Sequence, residues 1–290
     1  MWLFKKHSMD LQSPSKINVS LRVLDRREDS YHSLEMVTLP LALHDVIEMT
    51  VDRVSEDTFI TCDDIGLSNV HHNLCKKAVD AMRKEFGFKE NFHISIHKEI
   101  PFAAGLGGGS SNAAAVMKGI VSLLQIKTDE EALNRVGLSV GADVPFFLSG
   151  HPALVSGIGE VLTPIKVKRQ YFCLIVKPKE GLSTKTVFEA CDSFKRLPIE
   201  TPNVLKALEE GDDALLAESI GNDLYEPACS LLPKVREIVS TLKEKGFAIA
   251  SMTGSGSSCF AFDNDLKKLK DAARFFIEKG YFAVVTKTLL

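Results

Sequence analysis

No Cys-x-x-Cys pair occurs in this sequence. The six cysteines at 62, 75, 173, 191, 229 and 259 are scattered, which supports neither a zinc site nor a disulfide framework and suits a reducing cytoplasm. Runs of lysine or arginine are missing as well. With 35 basic against 38 acidic residues the net charge is −3, so the electrostatic footprint of a nucleic-acid binder or of a protein drawn to anionic membranes is not expected. No apolar run reaches the ~18 residues of a membrane helix. The first ten residues, with Trp2, Phe4, Lys5 and Lys6, hold no apolar core of an export signal, and Met9 is an alternative start. Eight histidines include His71 and His72, and His93 and His97, but without HExxH spacing, so these pairs read as surface or core side chains rather than metal ligands. Internal repeats and low-complexity tracts are absent too.

What is present is 290 residues, 45% of them hydrophobic, enough for two modest cores or one large one. The most informative stretch is 101–112, Pro-Phe-Ala-Ala-Gly-Leu-Gly-Gly-Gly-Ser-Ser-Asn. Four glycines in five residues let backbone pass close to a ligand, and the run from Ala113 to Leu124 supplies a helix whose positive end points at the same spot. Backbone N–H groups and the hydroxyls of Ser110 and Ser111 are donors that a polyphosphate would satisfy. No lysine follows the glycines, so the GxxxxGK[ST] loop is excluded. A GxGxxG pattern begun at Gly105 and Gly107 finds Ser110 in its third glycine position, with no acidic residue about 20 positions on.

Alternation predicts strands over 15–24, 45–51, 59–62 and 92–98, with Lys16 and Asn18 on one face and Lys16 an exposed cation. A helix is expected over 73–86, closed by Gly87, and a capping box of Thr128 and Glu131 starts another. From 171 onward the order reads strand, helices over 184–246, strand 248–252, strand 258–262, helix 266–279 and strand 281–287, a split βαβ sandwich of the ferredoxin-like kind. Thr163-Pro164 and the charged run 166–169 read as a connection. Three further clusters carry chemistry: Pro14-Ser15-Lys16-Ile17-Asn18, Gly141-Ala142-Asp143-Val144-Pro145-Phe146, and the glycine turn Thr253-Gly254-Ser255-Gly256-Ser257-Ser258.

With Asp29-Ser30-Tyr31-His32, Gly157 to Glu160, Leu162 to Pro164, and Ser183-Thr184 followed by Phe188, these clusters resemble the GHMP kinases in order and over nearly the whole chain. The likeness is to the branch whose substrate is a cytidine-diphosphate-linked methylerythritol. It implies an α+β fold of two domains, 1–162 nucleotide-binding and 163–290 ferredoxin-like on the substrate side, with ATP and Mg2+ as cofactors. The resemblance gives Asp143 the role of taking the hydroxyl proton. Lys16 would lower the proton affinity of that hydroxyl and keep Asp143 ionised, with Asn18 as a substrate hydrogen-bond partner. The nucleotide would lie along Pro101, Ala103, Ala104, Gly105, Leu106, Gly107, Gly108, Gly109, Ser110 and Ser111, with Asn73 and Lys98 near adenine. Ser111 is considered for magnesium, whose protein ligands are otherwise unassigned. Cytosine would sit between Tyr31 and Phe188 and be read by His32, Thr184 would lie near the erythritol, and Gly254, Ser255 and Gly256 would line the substrate diphosphate. Ser30 stands where the family usually has glycine. A GHMP kinase of homoserine or mevalonate type, and a non-catalytic nucleotide sensor, remain alternatives.

Overall fold

A computed structural model describes residues 8–26, 32–63 and 73–290. In chain order these form β1 (Ser8–Arg26), β2 (His32–Asp52), β3 (Phe59–Cys62), α1 (Leu74–Phe86), β4 (Asn91–His97), α2 (Gly108–Leu124), α3 (Glu130–Val140), α4 (Val144–Ser149), β5 (Ala153–Gly157), β6 (Val161–Pro164) and β7 (Phe172–Lys177). Five helices follow, α5 (Thr184–Cys191), α6 (Thr201–Glu210), α7 (Asp213–Ser219), α8 (Tyr225–Leu231) and α9 (Lys234–Glu244), and then β8 (Ile249–Met252), β9 (Cys259–Phe262), α10 (Leu266–Glu278) and β10 (Phe282–Lys287). Two compact units interleave along the chain. One comprises 1–15, 43–100 and 107–150, the other 16–42, 101–106 and 151–290.

In the first unit the second half of β2 pairs antiparallel with β4, Val46 opposite His97 and Asp52 opposite Asn91, and β3 runs parallel to β4. Helix α1 ends where expected and starts one residue later, with Asn73 as its cap, because its ends are chemically marked. The Asn73 side chain accepts from the Cys75 N–H, and Gly87 closes the helix at φ 71°. Its buried residues Cys75, Ala78, Val79 and Met82 follow the helical repeat. Helix α2 buries residues on every side, from Ser111 and Asn112 through Ala113–Met117 to Leu123, and so behaves as a core helix. Phe92, Ile94, Ile47 and Met49 are fully buried, each such side chain adding about 1.5–3 kcal/mol of hydrophobic stabilisation.

In the second unit the first half of β2 pairs with β5, which pairs with β6. The segment 163–164 is therefore strand where a connection was expected. The sheet of β7 to β10 has the order β10-β7-β9-β8 with every pairing antiparallel. Strands numbered one to four in chain order thus lie 4-1-3-2, the ferredoxin-like arrangement anticipated from the element order. Helix α10 covers it through Leu269, Ala272, Ala273 and Phe276.

Three local expectations are corrected. Helix α2 starts at Gly108, not Ala113, so two glycines belong to its first turn. Asp129 caps α3, accepting from the Ala132 N–H at 2.8 Å, while the Thr128 hydroxyl donates to the Asp129 carbonyl; the helix begins one residue later than the Thr-Glu box implied. Lys16 is buried, 6% exposed, because both faces of β1 are covered and Ser15, Asn18 and Ser20 are buried along with Ile17, Val19 and Leu21.

Candidate functional site

In the first unit the start of α2 is the organising feature. Its N-cap is Gly107 at φ 74°, a left-handed conformation that a β-carbon disfavours, so no side chain caps the helix, and no acidic residue stands in the first turn. The Ser111 N–H already bonds to the Gly107 carbonyl at 2.9 Å. The N–H groups before it have no partner within the helix, and they stand at the positive end of its 17 residues. Ser111 is 1% exposed, and its hydroxyl accepts from Ser13, which also lies 2.6 Å from Asn112 Oδ1. One of the two expected loop hydroxyls thus faces inward and anchors the helix.

Lys98 is held beside this helix start: a methyl group on Gly108 would stand 3.3 Å from its Nζ. Asp45, fully buried, pairs with that ammonium and accepts from the N–H groups of Glu99 and Ile100 at 2.9 and 2.8 Å. A buried carboxylate with three donors is well satisfied. Asn73 uses its side-chain oxygen on the end of α1. Asp143 stands at the N-cap of α4 but makes no capping hydrogen bond, and Pro145 follows in the first turn. Its half-buried carboxylate takes no hydrogen bond from the described residues. A methyl on Gly141 would lie 3.6 Å from Ser110 Oγ, so the turn carrying Asp143 lies against the first turn of α2.

The second unit gathers other predicted residues. Lys16 donates from Nζ to Asn18 Oδ1 at 2.6 Å, as strand neighbours on one face should. The Asn18 amide donates to Thr38 Oγ1 at 2.9 Å, and its backbone N–H to Thr253 Oγ1 at 2.8 Å. The Lys16 N–H binds the Leu106 carbonyl at 3.0 Å, and the Ser258 N–H the Ala104 carbonyl at 3.3 Å. Gly105, at φ 71°, packs on the glycine turn so closely that a β-carbon would meet the Thr253 carbonyl oxygen at 2.6 Å. Ala104 to Leu106, Lys16, Asn18 and Gly254 to Gly256 therefore form one cluster, and nothing joins Pro101 to it among the described contacts. Thr184 joins it through a 2.9 Å bond between its Oγ1 and Ser255 Oγ.

A cavity of about 690 Å³ opens here, lined by Phe102, Ala103, Lys177, Leu182, Ser183 and Thr184. Burial pushes the Lys177 ammonium below the ordinary lysine range; it donates to the Pro178 carbonyl at 2.9 Å and to those of Lys179 and Glu180 at 3.5 and 3.4 Å. His32 stacks on Phe188, centroids 5.9 Å apart and planes 21° from parallel, so one face of Phe188 is already covered. Tyr31 lies outside the described residues.

Sequence reasoning missed the residues that hold these segments. Asn222 donates to the carbonyls of Met252 and Gly254 at 3.0 and 2.9 Å. Asp223 accepts from the N–H groups of Val23 and Leu197 at 2.8 and 2.7 Å. Their only sequence signal is the polar triplet Gly221-Asn222-Asp223 between helices, which reads as a turn. Asp45 and Ser13 carried no signal.

Residues 73–151 match the family model of the GHMP kinases N terminal domain and residues 204–281 that of GHMP kinases C terminal. A curated protein from Clostridium perfringens (strain 13 / Type A), named 4-diphosphocytidyl-2-C-methyl-D-erythritol kinase, is 34% identical over 284 residues, 97% of this chain and 98% of its own. One of the same name from Caldicellulosiruptor bescii is 35% identical over 273 residues, 92% and 93% of the two chains. A crystal structure of 4-(cytidine 5'-diphospho)-2C-methyl-D-erythritol kinase superposes with a TM-score of 0.80 at 29% identity, covering 97% of this chain and 99% of that one. Homoserine kinase from Cytophaga hutchinsonii reaches 0.77 at 16% identity, covering 100% and 97%, a likeness of fold alone.

Proposed function

The chain belongs to the GHMP kinases and, within them, to the 4-diphosphocytidyl-2-C-methyl-D-erythritol kinases, and on that premise we propose that it transfers the γ-phosphoryl group of ATP to the 2-hydroxyl of 4-diphosphocytidyl-2-C-methyl-D-erythritol. The products are the 2-phosphate and ADP, and the step belongs to non-mevalonate isoprenoid precursor synthesis in the cytoplasm. The observation that carries the proposal is the helix start of α2, left without a side-chain cap, with the Asp143 turn lying against it.

The N–H groups from Gly107 to Ser110 bind the ATP phosphates, where the helix end favours negative charge. Asp143, its carboxylate unspent on capping, accepts the proton of the 2-hydroxyl as the new O–P bond forms. Lys16, buried and fixed by Asn18, steadies the charge that develops on that oxygen. Thr184 and Ser255, already bonded to each other, orient the erythritol and the diphosphate along the 254–256 turn. Phe188 and Tyr31 flank the cytosine and His32 reads its edge.

No three His, Cys, Asp or Glu side chains gather as a metal cage among the described residues. Magnesium would arrive with the nucleotide phosphates, whose charge it would neutralise; Ser111 is spent on Ser13, so the Ser110 hydroxyl is the loop oxygen left for it. No described helix is long and apolar enough to cross a membrane.

A coupled ADP-release assay on a panel of alcohols tests the proposal. ATP-dependent turnover of the cytidine-linked substrate, with homoserine and mevalonate inert, is expected. Turnover of either of those two in its place would overturn the substrate assignment, and no turnover of any would leave a nucleotide sensor.

A further inference from the structure

His32 does not stand alone beside Phe188. Its Nε2 lies 2.8 Å from Asp192 Oδ1, at the end of α5, and the ring is 8% exposed. Arg196, four residues on and beyond the end of α5, holds an Nη 3.6 Å from the same carboxylate oxygen and donates its other Nη to the Cys191 carbonyl at 2.8 Å. The carboxylate is thus tethered from behind while it grips the imidazole in front. Phe188 covers one face of the ring, so a ring flip would break the Nε2 bond without freeing the ring.

These contacts decide which nitrogen carries the proton. A carboxylate only accepts, so Nε2 is the N–H of the neutral ring and Nδ1 is left as a lone pair. No described residue bonds to Nδ1. On the hydrogen-bonding edge of cytosine the exocyclic amine is the N–H donor, and uracil places a carbonyl oxygen at the same position. A lone pair at Nδ1 attracts the first and repels the second.

We infer that Asp192 is the positioning residue for base selection: by holding His32 in the Nε2–H tautomer it makes the enzyme prefer a cytidine over a uridine diphosphate alcohol. The inference rests on the function proposed above and adds to it the device that reads the base. One satisfied hydrogen bond against two opposed acceptors corresponds to a preference of about tenfold to a hundredfold.

The experiment compares cytidine diphosphate with uridine diphosphate in calorimetric titrations of the wild type, Asp192→Ala and Asp192→Glu, with the nitrogen shifts of His32 read by NMR. The wild type is expected to favour cytidine diphosphate by that margin, with the Nε2–H pattern. Asp192→Ala should fall to within about threefold between the two ligands and show mixed tautomers, and Asp192→Glu should recover part of the preference. The KM for ATP reports separately on general damage. An Nδ1–H or doubly protonated His32 in the wild type, or an undiminished preference in folded Asp192→Ala, overturns the assignment even if the variant with glutamate misfolds. Absence of turnover on the cytidine-linked alcohol by the wild type would instead remove the proposed function, and this assignment with it.

Discussion

In the proposed reaction, Asp143 and Phe188 would separate chemistry from recognition at the level of single side chains. Asp143→Asn keeps the shape of the α4 cap, where the carboxylate makes no capping bond, and removes the proposed proton acceptor. Its kcat is expected to fall about 10²–10⁴-fold, the usual range for a lost general base, while ATP binding by calorimetry persists. Turnover within a few-fold of wild type would exclude Asp143 as the base. Phe188 is half-buried against His32. Phe188→Ala should weaken cytidine diphosphate binding by about 1–3 kcal/mol, the scale for one base on one ring, with ATP affinity nearly unchanged. Equal affinities for the variant and the wild type would place the base elsewhere.

The two halves of the glycine loop serve different elements. Gly105 is packed against the 253–256 turn, where a β-carbon would stand 2.6 Å from a carbonyl oxygen at a φ of 71°. Gly105→Ala should therefore read out as stability, a loss of about 1–3 kcal/mol in thermal or urea unfolding. Gly107 is the αL cap of α2. Gly107→Val puts a β-branched residue where L side chains pay about 1–2 kcal/mol and crowds the N–H groups meant for phosphate. Its main expected effect is a loss of about 1.5–3 kcal/mol in ATP binding, the value of hydrogen bonds to a charged group. A folded Gly107→Val protein with unchanged ATP affinity would refute the assignment of α2 to phosphate.

Over the whole molecule, stability should depend on pH through buried thiols. All six cysteines are reduced, and five are buried. Burial pushes the Cys75 thiol up to about 12 and raises Cys173, Cys191, Cys229 and Cys259 as well. In the unfolded chain a thiol ionises near ~8.5. Above that pH the unfolded state releases protons that the folded state retains, so the thiol contribution is whole below ~8.5 and is lost as pH rises toward the folded values. Lys118 and Lys177, lowered by burial, act with the opposite sign, gaining stability as pH rises toward their unfolded value, but five thiols outnumber them. The urea midpoint under reducing conditions should be lower at pH 9.5 than at pH 7.5; a higher midpoint would contradict the burial. Nucleotide adds a separate term. MgATP at 100 times its Kd should stabilise the fold by about 2.7 kcal/mol, and Asp143→Asn should keep that increment. An unfolding transition unmoved by saturating MgATP would argue against a nucleotide site.

The residues alone determined what depends on short-range chemistry. Asn73 and Gly87 bracket α1, the glycines of 105–109 mark the left-handed turn that opens α2, and the strand and helix order after 171 matches the 4-1-3-2 sheet. Glycine and capping residues encode backbone conformation within a few positions of themselves, so a string suffices to read them. Lys16 was misjudged as exposed because alternation assigns a face without saying what covers it. The contacts that hold the site join partners far apart in sequence: Asp45 and Lys98 are 53 residues apart, Ser13 and Ser111 98, and His32 and Asp192 160. Such meetings are fixed by sheet register and helix packing, to which every residue of the core contributes and which no local pattern records. Tertiary structure therefore decided which polar side chains are spent on holding the fold, and which, like the carboxylate of Asp143, take no part in capping their own helix.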